Sequence, residues 1–319
     1  MQLRRLLPVA LASSLALAGC APGEPAAETG DGRLAVVAST SVYADVVRSV
    51  GGDQVDVSAI IDKTSQDPHS YEATAQDKLL LSKADLVVSN GGGYDGFMDV
   101  LAQDLDLPAA SLVTAVDFAE EAHAGEAEDA HAGEAEASDD GHGHGDTNEH
   151  VWYDLHTVEA LAAEVSERLT ALRPESAELF TANAEEFAAS LAPVEERIAT
   201  LSASADGRTF AMTEPVPYYL LLEAGLRDGT PEGFSEAIEE GGDVSPLLLR
   251  QIQDGLADGE YAVLAYNAQT AGPQTESVRQ AAERAGVPVV EFTETLPEGE
   301  DFVSWMTSNT AALEAALAS

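Results

Sequence analysis

From Arg33 onward, short apolar runs alternate with stretches of helical periodicity, and this rhythm leaves few folds open to the chain. "RLAVVAST", "VDVSAII", "DLVVSN" and "ASLVTAV" read as strands, and "SVYADVVRSVGG", "AQDKLLLSKA" and "YDGFMDVLAQDL" read as the helices between them. A β/α alternation of this kind implies βαβ units on a parallel sheet. The second half repeats it. "RTFAMTE", "YAVLAYN" and "VPVVEFTE" are expected strands, and "VPYYLLLEAGL", "SPLLLRQIQDGLADG", "TESVRQAAERAGV" and "DFVSWMTSNTAALEAALA" are expected helices.

Between the halves, "TVEALAAEVSERLTALRP" and "PESAELFTANAEEFAASLAPVEERIATLSA" are rich in Ala, Glu and Leu with apolar residues at helical spacing. Only Pro193 interrupts the second stretch. At 1.5 Å per residue it predicts a helix of ~45 Å, long enough to join two lobes. A chain of 319 residues is also long for a single core. The fold class expected is α/β: two lobes, each a parallel β-sheet flanked by helices, joined by one long rigid helix, with a cleft between them. The boundaries expected are an N-terminal lobe over 33–174, a linking helix over 175–204 and a C-terminal lobe over 205–319.

The N-terminus, "MQLRRLLPVALASSLALAGC", has two arginines, an apolar stretch too short to span a bilayer comfortably, and small residues before Cys20. It reads as a secretory signal over 1–19. Leu17-Ala18-Gly19-Cys20 resembles the bacterial lipobox, which implies that Cys20 carries the lipid and anchors the mature protein outside the cytoplasmic membrane. Residues 20–32, "CAPGEPAAETGDG", read as a flexible tether. Cys20 is also the only cysteine, so a disulfide framework and a thiolate metal site are both excluded.

With 57 Asp and Glu against 15 Lys and Arg, the formal net charge is -42. Such a chain repels phosphate backbones, and nucleic acid is not an expected partner. The acid excess alone leaves open both solvation in high salt and attraction of cations.

The sequence holds 7 histidines, and His123, His131, His142, His144 and His150 fall within or just after an acidic low-complexity segment. That segment, placed in a loop over 119–148, contains the near repeat "HAGEAEDA" and "HAGEAEAS", lacks apolar periodicity and is expected to be disordered. His123, His131, His142 and His144 are candidate weak, exchanging metal ligands or solvated linker residues. His150 stands apart because "HVWYDL" restores apolar character immediately after it.

In open α/β sheets, ligands bind beyond the carboxyl ends of the strands. Three residues of metal-ligating type sit at such ends: His69 in the loop after "VDVSAII", Glu214 ending "RTFAMTE" and Glu294 ending "VPVVEFTE"; His150, closing the acidic segment before a helix, is the fourth candidate. Two belong to each lobe, so a site built from them lies in the cleft. His156, inside a helix, is expected to be a surface or packing residue. Tyr218, Tyr219 and Trp305 are expected to pack in the second lobe. In "SNGGGYDGF" the glycines mark a strand-to-helix turn without a dinucleotide register, and Asn90 to Gly93 are candidate cleft lining.

"DPHSYEATAQD" and "NEHVWYD" resemble the two histidine motifs of the periplasmic or lipid-anchored metal-binding proteins of ABC importers, the zinc and manganese group. The resemblance extends over nearly the whole mature chain. It implies His69 and His150 as the first two ligands. It also implies a third ligand at Glu214, where "TEPVPYYLLLEAGL" has glutamate in place of the usual histidine, and a fourth at Glu294 in "TETLPEG". Asp154 corresponds to a structural acid behind the ligands. The partners implied are one divalent metal ion, an ABC permease with its ATPase, and the membrane through the N-terminal lipid, with the protein a monomer.

Two imidazoles and two carboxylates suit Zn²⁺ at four-coordination and Mn²⁺ or Fe²⁺ at five or six. The His/acid loop tips the expectation to Zn²⁺, with Mn²⁺ next. Copper(I) is disfavoured, since no Met-rich cluster exists. The alternatives are an extracellular metal buffer or adhesin and, from another class, a secreted metallohydrolase. The sequence has neither an HExxH stretch nor a Gly-x-Ser-x-Gly nucleophile motif, and neither catalytic nor organic-cofactor-binding residues are assigned.

Overall fold

Eight short strands pair in two separate parallel sheets, and the order within each sheet fixes where a ligand can sit. A computed structural model describes residues 32–119 and 148–319 of the chain. Cys20, the tether and His123, His131, His142 and His144 lie outside the described residues.

The first sheet contains β1 (Leu34–Thr40), β2 (Val55–Ile61), β3 (Leu86–Ser89) and β4 (Leu112–Thr114) in the order β2-β1-β3-β4. The second contains β5 (Thr209–Met212), β6 (Arg227–Asp228), β7 (Val263–Asn267) and β8 (Val289–Phe292) in the order β6-β5-β7-β8. All pairings are parallel. The central strands β1 and β7 are buried on both faces, as their unbroken Val/Ala/Leu runs require. In each sheet the chain reverses direction between the two central strands. The crevices lie beyond the carboxyl ends of β1 and β3, and beyond those of β5 and β7.

In the first lobe the helices are α1 (Ser41–Gly51), α2 (Ala75–Leu81), α3 (Gly96–Asp104) and α4 (Leu155–Leu172). Helix α1 buries Val42, Tyr43, Val46, Val47 and Val50 and stops at Gly52, whose φ of 55° a side chain would strain. Helix α2 starts with a reciprocal cap between Thr74 and Asp77.

The expected long helix is α5 (Ala177–Ala205), 29 residues running straight through Pro193. It buries Phe180, Phe187, Leu191, Val194, Ile198, Leu201 and Ala205, a stripe at three- and four-residue spacing. It ends at Asp206 and Gly207, both in left-handed conformation. In the second lobe follow α6 (Tyr218–Glu223), α7 (Phe234–Glu239), α8 (Pro246–Asp258), α9 (Pro273–Ala285) and α10 (Phe302–Leu317).

Helix α5 packs against α1 and α4 of the first lobe and against α6 and α10 of the second. One hydrophobic cluster is therefore continuous across both lobes, from Val36 and Val88 through Leu191 to Phe210, Val263 and Phe292. Trp305 was expected in the second lobe's packing. It lies instead where the lobes meet, its ring centroid 5.3 Å from that of Tyr153, because α10 crosses back over α5 to reach the first lobe. The same crossing lets Asp45 of α1 accept from the Phe302 amide at 2.9 Å and Ser41 accept from the Leu296 amide at 3.0 Å. The sequence rhythm did not reveal β6 or α7. A two-residue edge strand and a single helical turn and a half, in the Gly- and Glu-rich run 227–243, carry no apolar period.

The shared core predicts that truncation in α5 is costly. Leu191→Ala, at a fully buried position, should destabilise the metal-free protein by about 2–5 kcal/mol. Leu179→Ala on the solvent side of the same helix, where Leu179 is 40% exposed, should change stability by less than about 0.5 kcal/mol. Denaturant unfolding midpoints check this, and equal shifts would contradict the packing described.

Candidate metal centre between the lobes

The four candidate residues, three from strand ends and His150 from the segment before a helix, all arrive at the meeting point of the two crevices. His69 comes from the loop after β2, His150 from the turn that opens α4, Glu214 from the end of β5 and Glu294 from the end of β8. His150 is fully buried, Glu214 is 3% exposed and Glu294 1%. His69 is more open, with a side chain 19% exposed.

His150 is held in one tautomer. The Asn148 amide nitrogen donates to the Pro215 carbonyl at 2.6 Å, so the Asn148 oxygen faces His150 and accepts from its backbone N–H at 3.0 Å. The ring Nδ1 stands 2.7 Å from that same oxygen, which can only accept. Nδ1 therefore carries the proton, and Nε2 presents a lone pair with no hydrogen-bond partner among the described residues. Tyr219, expected only to pack, donates its hydroxyl to the Asn148 carbonyl at 2.7 Å and so helps to hold this arrangement.

His69 is aimed by its own loop. Asp67 accepts from the His69 amide at 2.9 Å and from the Ser70 hydroxyl at 2.8 Å. Its ring Nδ1 lies 3.3 Å from a Glu149 carboxylate oxygen, leaving Nε2 to face Glu294 at 3.8 Å. The Tyr94 ring meets both imidazoles edge-on, at 4.9 Å from His69 and 5.7 Å from His150. Burial pushes the His69 imidazole below its ordinary range, and burial reinforced by His69 pushes His150 well below it. Both rings are thus neutral near pH 7, the form that binds metal.

On the second lobe the carboxylates are paired by one amide. Asn267, the last residue of β7, donates its side-chain nitrogen to both Glu214 and Glu294, the latter at 2.7 Å. Its oxygen accepts from the Gln269 amide, which fixes the orientation. The Gln269 oxygen then accepts from the Glu294 and Thr295 amides at 2.6 and 3.0 Å, while its nitrogen reaches across to the Gln66 carbonyl in the His69 loop at 3.3 Å. The remaining oxygens, Glu214 Oε1 and Glu294 Oε2, are buried without hydrogen-bond partners among the described residues.

On the first lobe, Asn90 to Gly93, expected to line the cleft, form the turn against which Glu149 is seated. The glycines adopt φ of 80°, 68° and 105°, and a Cβ on Gly92 would stand 3.1 Å from that of Glu149. The Asn90 side chain donates to the Glu149 carbonyl at 2.9 Å, and Asp95 caps the turn by accepting from the Asn90 and Gly91 amides. Asp154 accepts from the His156 amide and the Thr157 hydroxyl, capping α4 behind the histidine. His156 itself is on the surface, its side chain 49% exposed, with Glu159 and Glu195 oxygens each 3.9 Å from Nδ1.

Two acidic residues near the site carried no signal in the sequence. Glu149, next to His150, contacts His69 as described. Glu239, the last residue of α7, places Oε1 3.4 Å from His150 Nε2 and 3.8 Å from His69 Nε2. One donor atom from each of His69, His150 and Glu239 lies within 4.8 Å of the others. No strand-end rule points to Glu239, because it is delivered by the short helix that the apolar pattern does not mark.

No lysine or arginine is among the charges acting on these carboxyl groups. Burial therefore dominates their acidity. It raises Glu214, raises Glu149 to about 7 with help from Asp95, and raises Glu239 to about 8 with help from Glu149, Glu214, Glu294 and Glu236. Burial also lifts Glu294 to about 8, opposed by Asn267 and assisted by Glu214 and Asp67. Carboxylates this short of positive charge are satisfied by a cation in their midst or by protons.

Comparison with known proteins fits the geometry. A family model described as zinc-uptake complex component A, periplasmic, matches residues 36–316. The chain is 26% identical over 258 residues to the manganese ABC transporter substrate-binding lipoprotein PsaA of Streptococcus pneumoniae, covering 73% of this chain and 76% of that one. Among solved structures it is similar to the periplasmic zinc-binding protein TroA of Treponema pallidum, with a TM-score of 0.71, 20% identity and coverage of 90% of this chain and 99% of the other. It is also similar to a mutant of the laminin-binding adhesin Lmb of Streptococcus agalactiae, with a TM-score of 0.68, 20% identity and coverage of 89% and 99%. At this identity the two structural likenesses establish the fold alone.

The raised acidities set a pH dependence for the metal-free protein. Glu239 and Glu294 titrate near 8 in the folded state against an ordinary value of 4.5. Between those values the folded protein holds protons that the unfolded chain has released, so stability falls as pH rises and levels off above about 8. Unfolding free energies measured in chelator should decline from pH 5 to 8, with a shallower decline in Glu294→Gln. A wild-type stability that rises over this interval, or an identical slope in the variant, would contradict the site's electrostatics.

Proposed function

Because the chain belongs to the zinc-uptake component A family of periplasmic proteins, we propose that it is an extracytoplasmic solute-binding protein that captures one divalent transition metal ion between its lobes and delivers it to an ABC permease. The single observation that carries this reading is the convergence of two neutral imidazoles and buried carboxylate oxygens that, among the described residues, have neither a hydrogen-bond partner nor a cationic side chain to balance them. His69, His150, Glu214 and Glu294 are the proposed ligands. The ion is zinc or manganese, the metals named for the family and for the relatives described above.

Capture follows from the chemistry of the donors. Both imidazoles are already neutral, so they bind without competing for a second proton near neutral pH. Glu294 gives up its proton on binding, and the incoming charge replaces the proton that burial had stabilised. Asn267 keeps the two glutamates side by side in the metal-free state, where their repulsion would otherwise separate them. The role is binding and release rather than catalysis. With one core shared by both lobes, release on docking to the permease proceeds through the ligand loops, above all the His69 loop held to the second lobe by Gln269.

No helix among the described residues is long and apolar enough to cross a membrane. We assign membrane attachment to the Cys20 lipid, with the folded part a monomer outside the cytoplasmic membrane and the permease and its ATPase as partners. We assign residues 121–147 an accessory role in collecting metal, distinct from the tight site.

Calorimetric titration of metal-free protein should find one tight site for Zn²⁺ or Mn²⁺. His69→Ala combined with His150→Ala should weaken it by at least a hundredfold. Deletion of 121–147 should leave the tight site intact and remove only weak excess binding. Tight binding that survives the double substitution, or that disappears with the deletion, would overturn the assignment.

A further inference from the structure

The geometry points to Glu239 as a fifth metal ligand, one that raises the coordination number of the site and equips it to retain Mn²⁺ alongside Zn²⁺. This rests on the reading of the site as metal-binding. Two donors bound to one ion at roughly 2.1 Å stand about 3.0 Å apart at right angles and about 3.4 Å apart at tetrahedral angles. Glu239 Oε1 is 3.4 Å from His150 Nε2 and 3.8 Å from His69 Nε2. Glu294 Oε2 stands at the same 3.8 Å from His69 Nε2. By distance Glu239 belongs with the imidazoles at least as closely as the expected fourth ligand does.

Its placement is built rather than incidental. Helix α7 is fixed by Phe234, which is fully buried in the second lobe's own core cluster with Ala237 and Ile238 packed beside it. The helix is bracketed by Gly233 at φ 77° and Gly241 at φ 68°, which turn the chain sharply at both ends and direct its last residue inward. Glu239 Oε1 is buried without a hydrogen-bond partner among the described residues, as are His150 Nε2, Glu214 Oε1 and Glu294 Oε2. Four orphaned acceptor atoms from three segments of the second lobe and one of the first face the same point. Its neighbour Glu240 is exposed.

The consequence for selectivity follows from coordination chemistry. Zn²⁺ is satisfied by four ligands, and His69, His150, Glu214 and Glu294 already supply them. Mn²⁺ binds any given donor set more weakly than Zn²⁺ and prefers oxygen ligands at higher coordination number. A third carboxylate therefore adds little for zinc and much for manganese, narrowing the gap between the ions. With a side chain 18% exposed, Glu239 is more open than Glu214 at 3% and Glu294 at 1% and stands on the solvent side of them.

The test is competition titration of the full chain with Mn²⁺ and with Zn²⁺, for wild type, Glu239→Gln and the neighbouring control Glu240→Gln, with Mn²⁺ electron paramagnetic resonance to report the ligand field. Glu239→Gln should weaken Mn²⁺ binding at least tenfold and Zn²⁺ binding less than about threefold, and should alter the Mn²⁺ spectrum. Glu240→Gln should match wild type. Glu239→Ala, which removes the side chain without leaving an amide, should repeat the selective loss. Equal losses for the two ions, or no loss in either Glu239 variant, would overturn the fifth-ligand role while leaving the tight site standing. A wild-type chain that binds neither ion would overturn the proposed function as well.

Discussion

Three glutamates and two imidazoles face one point between the lobes with no lysine or arginine to balance them among the described residues, and the rest of the architecture is arranged around that imbalance. Carboxylates removed from water cost several kcal/mol each unless compensated. Here compensation is divided. Asn267 supplies one amide to Glu214 and Glu294, and burial keeps protons on Glu239 and Glu294 near neutral pH. The metal-free protein is thus primed for a cation, because binding removes the cost that the fold itself created. Neutral imidazoles on the opposite wall complete a donor set of mixed hardness, which suits a divalent transition ion.

That imbalance is tolerable because both walls are held from behind. On the first lobe, Asn148 fixes the His150 tautomer, the turn Asn90 to Gly93 backs Glu149, and Asp154 caps the helix that His150 precedes. On the second, Asn267 and Gln269 form a short chain of amides that ends in the His69 loop. The lobes themselves share one hydrophobic cluster along α5. In the proposed role, ion entry and release therefore fall to the ligand loops rather than to the sheets, which share this core.

Much of this was legible in the sequence. Strand and helix periodicity located both sheets and α5, the rule that ligands gather at strand carboxyl ends picked out His69, Glu214 and Glu294, and the return of apolar character after the acidic segment picked out His150; the fold brings the four together from separate segments. What the sequence concealed depends on local geometry. Glu239 sits on a helix too short to show a period, between glycines that read only as a loop. Asn267 and Gln269 follow a buried strand, and nothing in their spacing says that one amide will serve two carboxylates. Trp305 and Tyr219 read as packing residues; only the crossing of α10 over α5 and the position of Asn148 give them contacts across the lobes.

The central claim is that the ion is held where the two crevices meet. Crystals of the protein loaded with Mn²⁺ and, separately, with Zn²⁺, examined by anomalous scattering at each metal's absorption edge, test it directly. The account predicts a single strong anomalous peak bounded by the Nε2 atoms of His69 and His150 and by oxygens of Glu214, Glu294 and, for Mn²⁺, Glu239. A principal peak beside His156, Glu159 and Glu195, or in the acidic segment 120–147, would contradict it.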